Sequence, residues 1–410
     1  MRNSNNKEYA LVTGGSRGIG KAVSLKLASM GYPVIINYNC NKEAAEETAN
    51  NSELKIIPKQ TGIYEFSCPL PFNYKTIDEI AELNTTLKKS KVTSFYNNAP
   101  NWNHNNWVSI SRAKNDFIKT YDDFFKYVDY AHEKGFDVTY LMNSPKPFSE
   151  KDLNTFKDEF NRLLDLLIKH DVKDIKAAHC MTANLISEYT KDKFNFHAST
   201  AFEFNLVKQY EYLKDVVSNL TLIDITNGEN QNFRLLKSLK DKFPKIKLEL
   251  MVNESCLKGC PGRISCIADS TSICRFLHIC RDLKNFFSKT AFIYPWNLEY
   301  YSALGINNFK FIASAIGNNR SNYHDVANLK AYLNCVENGI KDYTVKDLQS
   351  ILHDSIFNSN KNHKLSDIKP LFPDIRYFIA HGHECSYKCG VECNYCYECA
   401  KKLEKVLLYS

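Results

Sequence analysis

LELMVNESCLKGCPGR, residues 248–263, reads as a buried strand running into a polar turn that carries two thiols. The strand spans Lys247 to Val252, and Asn253, Glu254, Cys256, Cys260, Pro261 and Arg263 follow at once. Upstream, runs of the same kind recur between amphipathic helices. Ile63–Pro69, Val92–Tyr96, Asp137–Met142, Asp174–Ala178 and Leu220–Ile225 are strands. Thr76–Lys88, Tyr121–Gly135, Ser149–His170 and Gln231–Phe243 are helices, and others start at Thr182 and Asn205. Such alternation predicts a parallel sheet with crossover helices. Seven or eight βα units in about 270 residues fit an α/β fold of the (β/α)8, TIM-like barrel type. In such a barrel the catalytic groups sit where strands end. By position these are Asn143, His179, Ser199, Thr200, Asn253, Glu254, Arg263 and Lys310. Glu254 is a candidate general base or electrostatic anchor, and Arg263 a candidate fork for a substrate carboxylate. Ser199 and Thr200 read better as helix caps.

The 410 residues carry fourteen cysteines, too many for an ordinary cytosolic enzyme. The polar start MRNSNNKEY has no signal-peptide core, and no apolar run is long enough to span a membrane. We therefore expect a cytoplasmic protein with no membrane partner, whose thiols serve a metal or a cluster rather than disulfides. Hydrophobic residues make up 44% and charged residues 24%, an ordinary globular composition. A net charge of +7 permits an RNA partner without implying one. The thiols fall into two groups. Cys256, Cys260, Cys266, Cys274 and Cys280 form the first, and Cys385, Cys389, Cys393, Cys396 and Cys399 the second. The second has a Cys-x-x-Cys-x-x-Cys core, which suits an iron–sulfur cluster, with zinc as the alternative. His381 and His383 stand beside it. In the first group Cys256 and Cys260 can turn toward one cluster, with Cys280 or Cys274 arriving from the next loop and Cys335 or Cys266 as the fourth ligand.

The Asn253-Glu254-x-Cys256-Leu257-x-x-Cys260-Pro261-x-Arg263 stretch resembles the collagenase-like peptidases, peptidase family U-thirty-two. VTSFYNNAP, FHASTAFEFN and FIYPWNLEYYSALGINNFKF resemble other segments of that family in the same order, over residues 62–400. The resemblance implies a barrel, a [4Fe–4S] cluster held by four cysteines, and an oxygen-independent, hydroxylation-type modification of RNA, a peptide or a small molecule. A protein partner would then deliver electrons. Cys266 stands where relatives often carry a histidine. Peptide hydrolysis, the activity behind the family name, is the first alternative, although the chain has no HExxH motif. A noncatalytic electron relay or maturation partner is the second.

ALVTGGSRGIGKAV, residues 10–23, raises a different expectation. Gly14, Ser16, Arg17, Gly18, Ile19 and Gly20 form a strand–turn–helix phrase able to cradle a pyrophosphate. Lys21–Met30 reads as the helix and Pro33–Asn37 as a second strand. Residues 7–50 resemble short-chain dehydrogenases/reductases. The Tyr-x-x-x-Lys pair that such a reductase needs has one match in ISEYTKDK, at Tyr189 and Lys193, whose surroundings do not continue the reductase pattern. In YNNAP, Pro100 replaces the reductase glycine. The expectation is a Rossmann-like βαβ fragment (1–50) without working reductase activity and with weak or no NADP binding. A barrel (51–380) and a Cys-rich tail (381–410) follow it.

Overall fold

A computed structural model describes residues 10–29, 34–50, 56, 58–99, 118–144, 150–254, 258, 260, 262–263, 290–312, 326–339, 397–398 and 401. Eight parallel strands close into a barrel. They are β3 (Tyr64–Pro69), β4 (Ser90–Asn97), β5 (Asp137–Met142), β6 (Asp174–Ala177), β7 (Asn195–Ala198), β8 (Leu220–Asp224), β9 (Lys247–Met251) and β10 (Asn308–Lys310). Each pairs with the next in sequence, and β10 closes the ring by pairing with both β9 and β3. Before the barrel, β1 (Ala10–Thr13) and β2 (Val34–Asn37) form a separate two-stranded parallel sheet.

Helices α3 (Tyr74–Thr86), α4 (Tyr121–Glu133), α5 (Glu150–Lys169), α6 (Cys180–Thr190), α7 (Val207–Val216), α8 (Phe233–Lys242), α9 (Leu298–Ser302) and α10 (Val326–Asn338) alternate with the barrel strands. Their starts are written in the sequence. The Thr120 hydroxyl accepts from the Asp123 amide at 3.1 Å, and the Asp123 carboxylate accepts from the Thr120 amide at 3.0 Å, a capping box. Asn73 and Asn232 cap α3 and α8 through their side-chain oxygens. Gly135 ends α4 at φ +82°, a left-handed turn that a side chain disfavours. Phe66, Phe95, Phe124, Phe125, Leu164 and Leu167 are fully buried in the layer between strands and helices. Each such side chain contributes about 1.5–3 kcal/mol through burial.

The eighth strand is only three residues long and escapes a reading of hydrophobic runs. At the other end of the chain, α1 (Gly18–Ser29) begins three residues before the expected Lys21, inside the glycine phrase. The Lys21 amide already donates to the Arg17 carbonyl at 3.2 Å. α2 (Lys42–Asn50) then pins the turn, because the Thr48 hydroxyl donates to the Ser16 carbonyl at 3.0 Å. A Cβ on Gly20 would sit inside the van der Waals shell of the Gly14 carbonyl, so only glycine fits there. Gly20→Ala should therefore open this turn and speed proteolytic cleavage within residues 10–50, while the barrel's melting stays unchanged. Equal cleavage rates for the two proteins would refute the close approach.

Candidate functional site

A barrel strand presents alternate residues to the interior. Here that rule places charge inside. Lys176 on β6 donates to Asp224 of β8 at 2.5 Å and to Glu249 of β9 at 2.6 Å. Lys310, the last residue of β10, donates to the other Asp224 oxygen at 3.1 Å, and its ammonium lies 4.2 Å from the centre of the Tyr96 ring. Ser67 of β3 donates to Glu249 at 2.7 Å. The Tyr96 hydroxyl donates to the Phe311 carbonyl at 3.0 Å. All four charged side chains are buried, and two cations face two carboxylates.

The four groups do not titrate alike. Burial works against the Lys176 ammonium, but Asp224 and Glu249 outweigh it and hold the amine above its ordinary range. Burial also penalises the Glu249 carboxylate, yet Lys176, Lys310 and hydrogen bonds keep it below the usual carboxylate range. Asp224 moves the other way. Burial raises its carboxyl, and the neighbouring Glu249 adds to the rise, against the pull of Lys176 and Lys310. Two carboxylates sharing a site push one proton affinity up and the other down, and here Asp224 takes the higher one and Glu249 the lower. Burial lowers Lys310, and its hydrogen bond to the Asp224 carboxylate compensates incompletely.

Above this layer lies the turn after β9. Asn253 is a clamp. Its side chain accepts from the Ile312 amide at 2.7 Å and donates to the Ile312 carbonyl at 2.6 Å, tying the end of β9 to the segment after β10. Arg263 is buried and forks onto Glu254, at 2.7 and 3.1 Å. Its Nε donates to Glu203 at 2.7 Å. Glu203 sits at φ +51°, a left-handed conformation uncommon for a residue with a side chain. Burial and the facing Glu254 raise the Glu203 carboxyl despite Arg263. The fork expected for a substrate carboxylate is thus engaged by Glu254, because a buried guanidinium needs its charge matched. Both Glu254 oxygens accept from Arg263, which suits the anchor role better than the base role. Sequence spacing brought Glu254 and Arg263 together; nothing nearby in sequence announces Glu203.

The Arg263 amide also donates to the Cys260 carbonyl at 3.2 Å, so the ion triad holds the turn on which half-buried Cys260 sits. Cys335 lies elsewhere. It is near the end of α10, two residues before Glu337, whose carboxylate accepts from the amides of Lys88, Lys89 and Ser90 where β4 begins. That is the opposite end of the barrel from Cys260, so the structure does not bring these two thiols together. Among the described residues, no group of three or more His, Cys, Asp or Glu is placed to hold a metal. Cys256, Cys280, Cys385, Cys389, Cys393, Cys396 and Cys399 lie outside the described residues.

The remaining strand-end candidates separate by role. The Ser199 hydroxyl accepts from the Ala201 amide, capping a short turn. Thr200 uses its carbonyl to accept from the Glu203 amide. His179 precedes α6 without capping it, and its Nδ1 is buried with no hydrogen-bond partner. Asn143 follows β5. The interior layer was invisible in the sequence except for Lys310. The signal was there, as Lys176, Asp224 and Glu249 set among apolar residues in DIKA, LTLID and KLELM.

The glycine phrase is intact in its own unit: Gly14 and Gly18 have φ of +68° and +54°. Tyr189 lies on α6 and donates to Asp165 at 3.0 Å on the barrel's exterior. It is thus committed to a contact between outer helices. Asn97 ends β4 and donates to the Leu70 carbonyl at 3.1 Å, so Tyr96 and Asn97, which open the YNNAP segment, belong to the barrel.

Comparison with known proteins divides along the same line. The short chain dehydrogenase family model matches residues 8–99, less than a quarter of the chain. The uncharacterized oxidoreductase YgfF of Escherichia coli (strain K12) is 61% identical over 41 residues, 10% of this chain and 17% of that protein. A 3-oxoacyl-[acyl-carrier-protein] reductase, FabG, of Staphylococcus aureus (strain Mu50) is 50% identical over 46 residues, 11% of this chain and 19% of that one. The chain thus spans about a fifth of the length of these curated relatives. The matched range also runs into β3 and β4, which pair within the barrel and not with β1 or β2. Among solved structures, the U32 peptidase Mk0906 aligns with 63% of this chain and 95% of its own, at 10% identity and a TM-score of 0.41. The N-acetylneuraminate lyase of Mycoplasma synoviae aligns with 84% of this chain and 97% of its own, at 11% identity and a TM-score of 0.31. Among the described residues, no helix is long and apolar enough to cross a membrane.

Proposed function

We propose that this chain is an iron–sulfur protein of the collagenase-like peptidase type, supporting an oxygen-independent redox modification of RNA, a peptide or a small molecule. One observation carries the reading. Asn253, Glu254, Cys260 and Arg263 of the Asn-Glu-x-Cys-Leu-x-x-Cys-Pro-x-Arg stretch stand at the C-terminal mouth of a closed barrel, where Asn253 and the Arg263 triad brace the turn bearing Cys260. Cysteine thiolates are the natural donors for such a cluster. With Cys335 at the other end of the barrel, the barrel set becomes Cys256, Cys260 and Cys280 with Cys266 or Cys274. Cys385, Cys389, Cys393, Cys396 and Cys399 supply a second set, for a cluster or for zinc. A bound cluster would supply one-electron transfer at the mouth. The residues around it do the positioning: Asn253 fixes the strand end, and Glu254 and Glu203 neutralise Arg263.

The test is the iron, zinc and acid-labile sulfide content of protein purified without oxygen. About four or eight irons with matching sulfide is the expected result, that is, one or two cubane clusters. Zinc without sulfide would overturn it and leave hydrolysis, the activity in the family name, as the reading to pursue.

A further inference from the structure

The barrel interior holds two buried lysines in unlike surroundings. Lys176 is gripped by two carboxylates, at 2.5 and 2.6 Å, and belongs to the architecture. Lys310 has a carboxylate contact at 3.1 Å, to Asp224, and an aromatic face at 4.2 Å. It is the terminal residue of β10, level with Met251 at the end of β9, and so lies at the mouth end of the charged layer. From this geometry we propose that Lys310 is a nucleophilic amine that condenses with a small neutral carbonyl compound, with Asp224 as its acid–base partner.

Three arguments support this. Burial acts on the Lys310–Asp224 contact from both sides, lowering the amine and raising the carboxyl, so the uncharged amine and acid become accessible together. An uncharged lysine amine is the species that attacks a carbonyl carbon. Two cations already match two carboxylates in the layer, which leaves no net charge to hold a carboxylate-bearing substrate and favours a neutral one.

The step balances. The Lys310 nitrogen lone pair forms the C–N bond, and a nitrogen proton passes to the former carbonyl oxygen to give a carbinolamine. Asp224, as the acid, protonates that hydroxyl; the C–O bond breaks and water leaves. The products are a protonated imine on Lys310 and an Asp224 carboxylate beside it. No oxidant or reductant is consumed, and the step does not depend on a cluster.

The experiment is reductive trapping of the full-length protein with glyceraldehyde and cyanoborohydride at neutral pH, followed by peptide mapping by mass spectrometry. The expected result is modification of Lys310 ahead of the exposed lysines. It should exceed that at Lys176 by at least about tenfold, the ratio of free amine given by one pKa unit. Asp224→Asn should slow trapping at Lys310 while leaving the exposed lysines as reactive as before. No adduct at Lys310, or equal labelling of Lys176 and Lys310, would overturn the proposal. The wild-type map decides it even if a variant fails to fold, and iron content does not enter the readout.

Discussion

Lys176→Met should destabilise the barrel by about 3–5 kcal/mol, the cost of breaking a buried charge pair from one side. Lys176 joins β6 to β8 and β9 through Asp224 and Glu249, and its side chain is 3% exposed. Methionine fills the stem's volume but leaves two carboxylates with one remaining cation, Lys310. Part of that cost falls away if one carboxylate takes a proton. Because Glu249 is held below its ordinary range in the folded protein, its stabilising contribution is present above the unfolded value near 4.5 and is lost as pH falls below it. The single variant should lack this acid-sensitive component. Lys176→Met combined with Glu249→Leu removes a cation and an anion together, and should recover much of the loss. Urea unfolding followed by circular dichroism measures both. A single variant costing under about 1 kcal/mol would show that the network is not a structural keystone.

The second large effect belongs to Arg263. Arg263→Ala leaves Glu203 and Glu254 facing each other with side chains 21% and 13% exposed. We expect a loss of about 3 kcal/mol, the lower end of the buried range because both carboxylates keep some water. Arg263→Lys should restore little, since an ammonium cannot fork onto Glu254 while also reaching Glu203. Because the Arg263 side chain, through Glu203 and Glu254, anchors the turn that carries Cys260, the iron-to-protein ratio should fall in both variants more than stability alone explains. Wild-type stability in the alanine variant would remove the triad from the account of the mouth.

The sequence disclosed the barrel because six of its eight strands read as apolar runs between helices with clear caps. It did not disclose β10, since NFK is too short to show a period and owes its place to pairing with β3 and β9. Site legibility followed the same division. Asn253, Glu254, Cys260 and Arg263 are near neighbours in sequence, so their spacing could be read. Glu203 meets Arg263 across 60 positions, and Lys176 meets Glu249 across 73. Such encounters are set by ring closure; a charge within an apolar strand hints at the layer but does not name the partner it meets. Cys335 shows the converse case: α10 carries it toward the end of the barrel where β4 begins, away from Cys260, and residue type alone does not tell where a helix ends.

Ring closure also has a consequence for synthesis. Lys310 meets Asp224 across 86 positions, and β10 is what joins the last strand to the first. On the ribosome, β3 through β9 emerge with the outer edges of β3 and β9 both unpaired and with Lys176, Asp224 and Glu249 still reachable by water. The nascent chain therefore carries open strand edges until residue 310 clears the exit tunnel, and long-range closure of this kind is slow and exposed to misassembly. The short final strand is where chaperone dependence should concentrate, because its arrival both seals the edges and removes the charged layer from solvent.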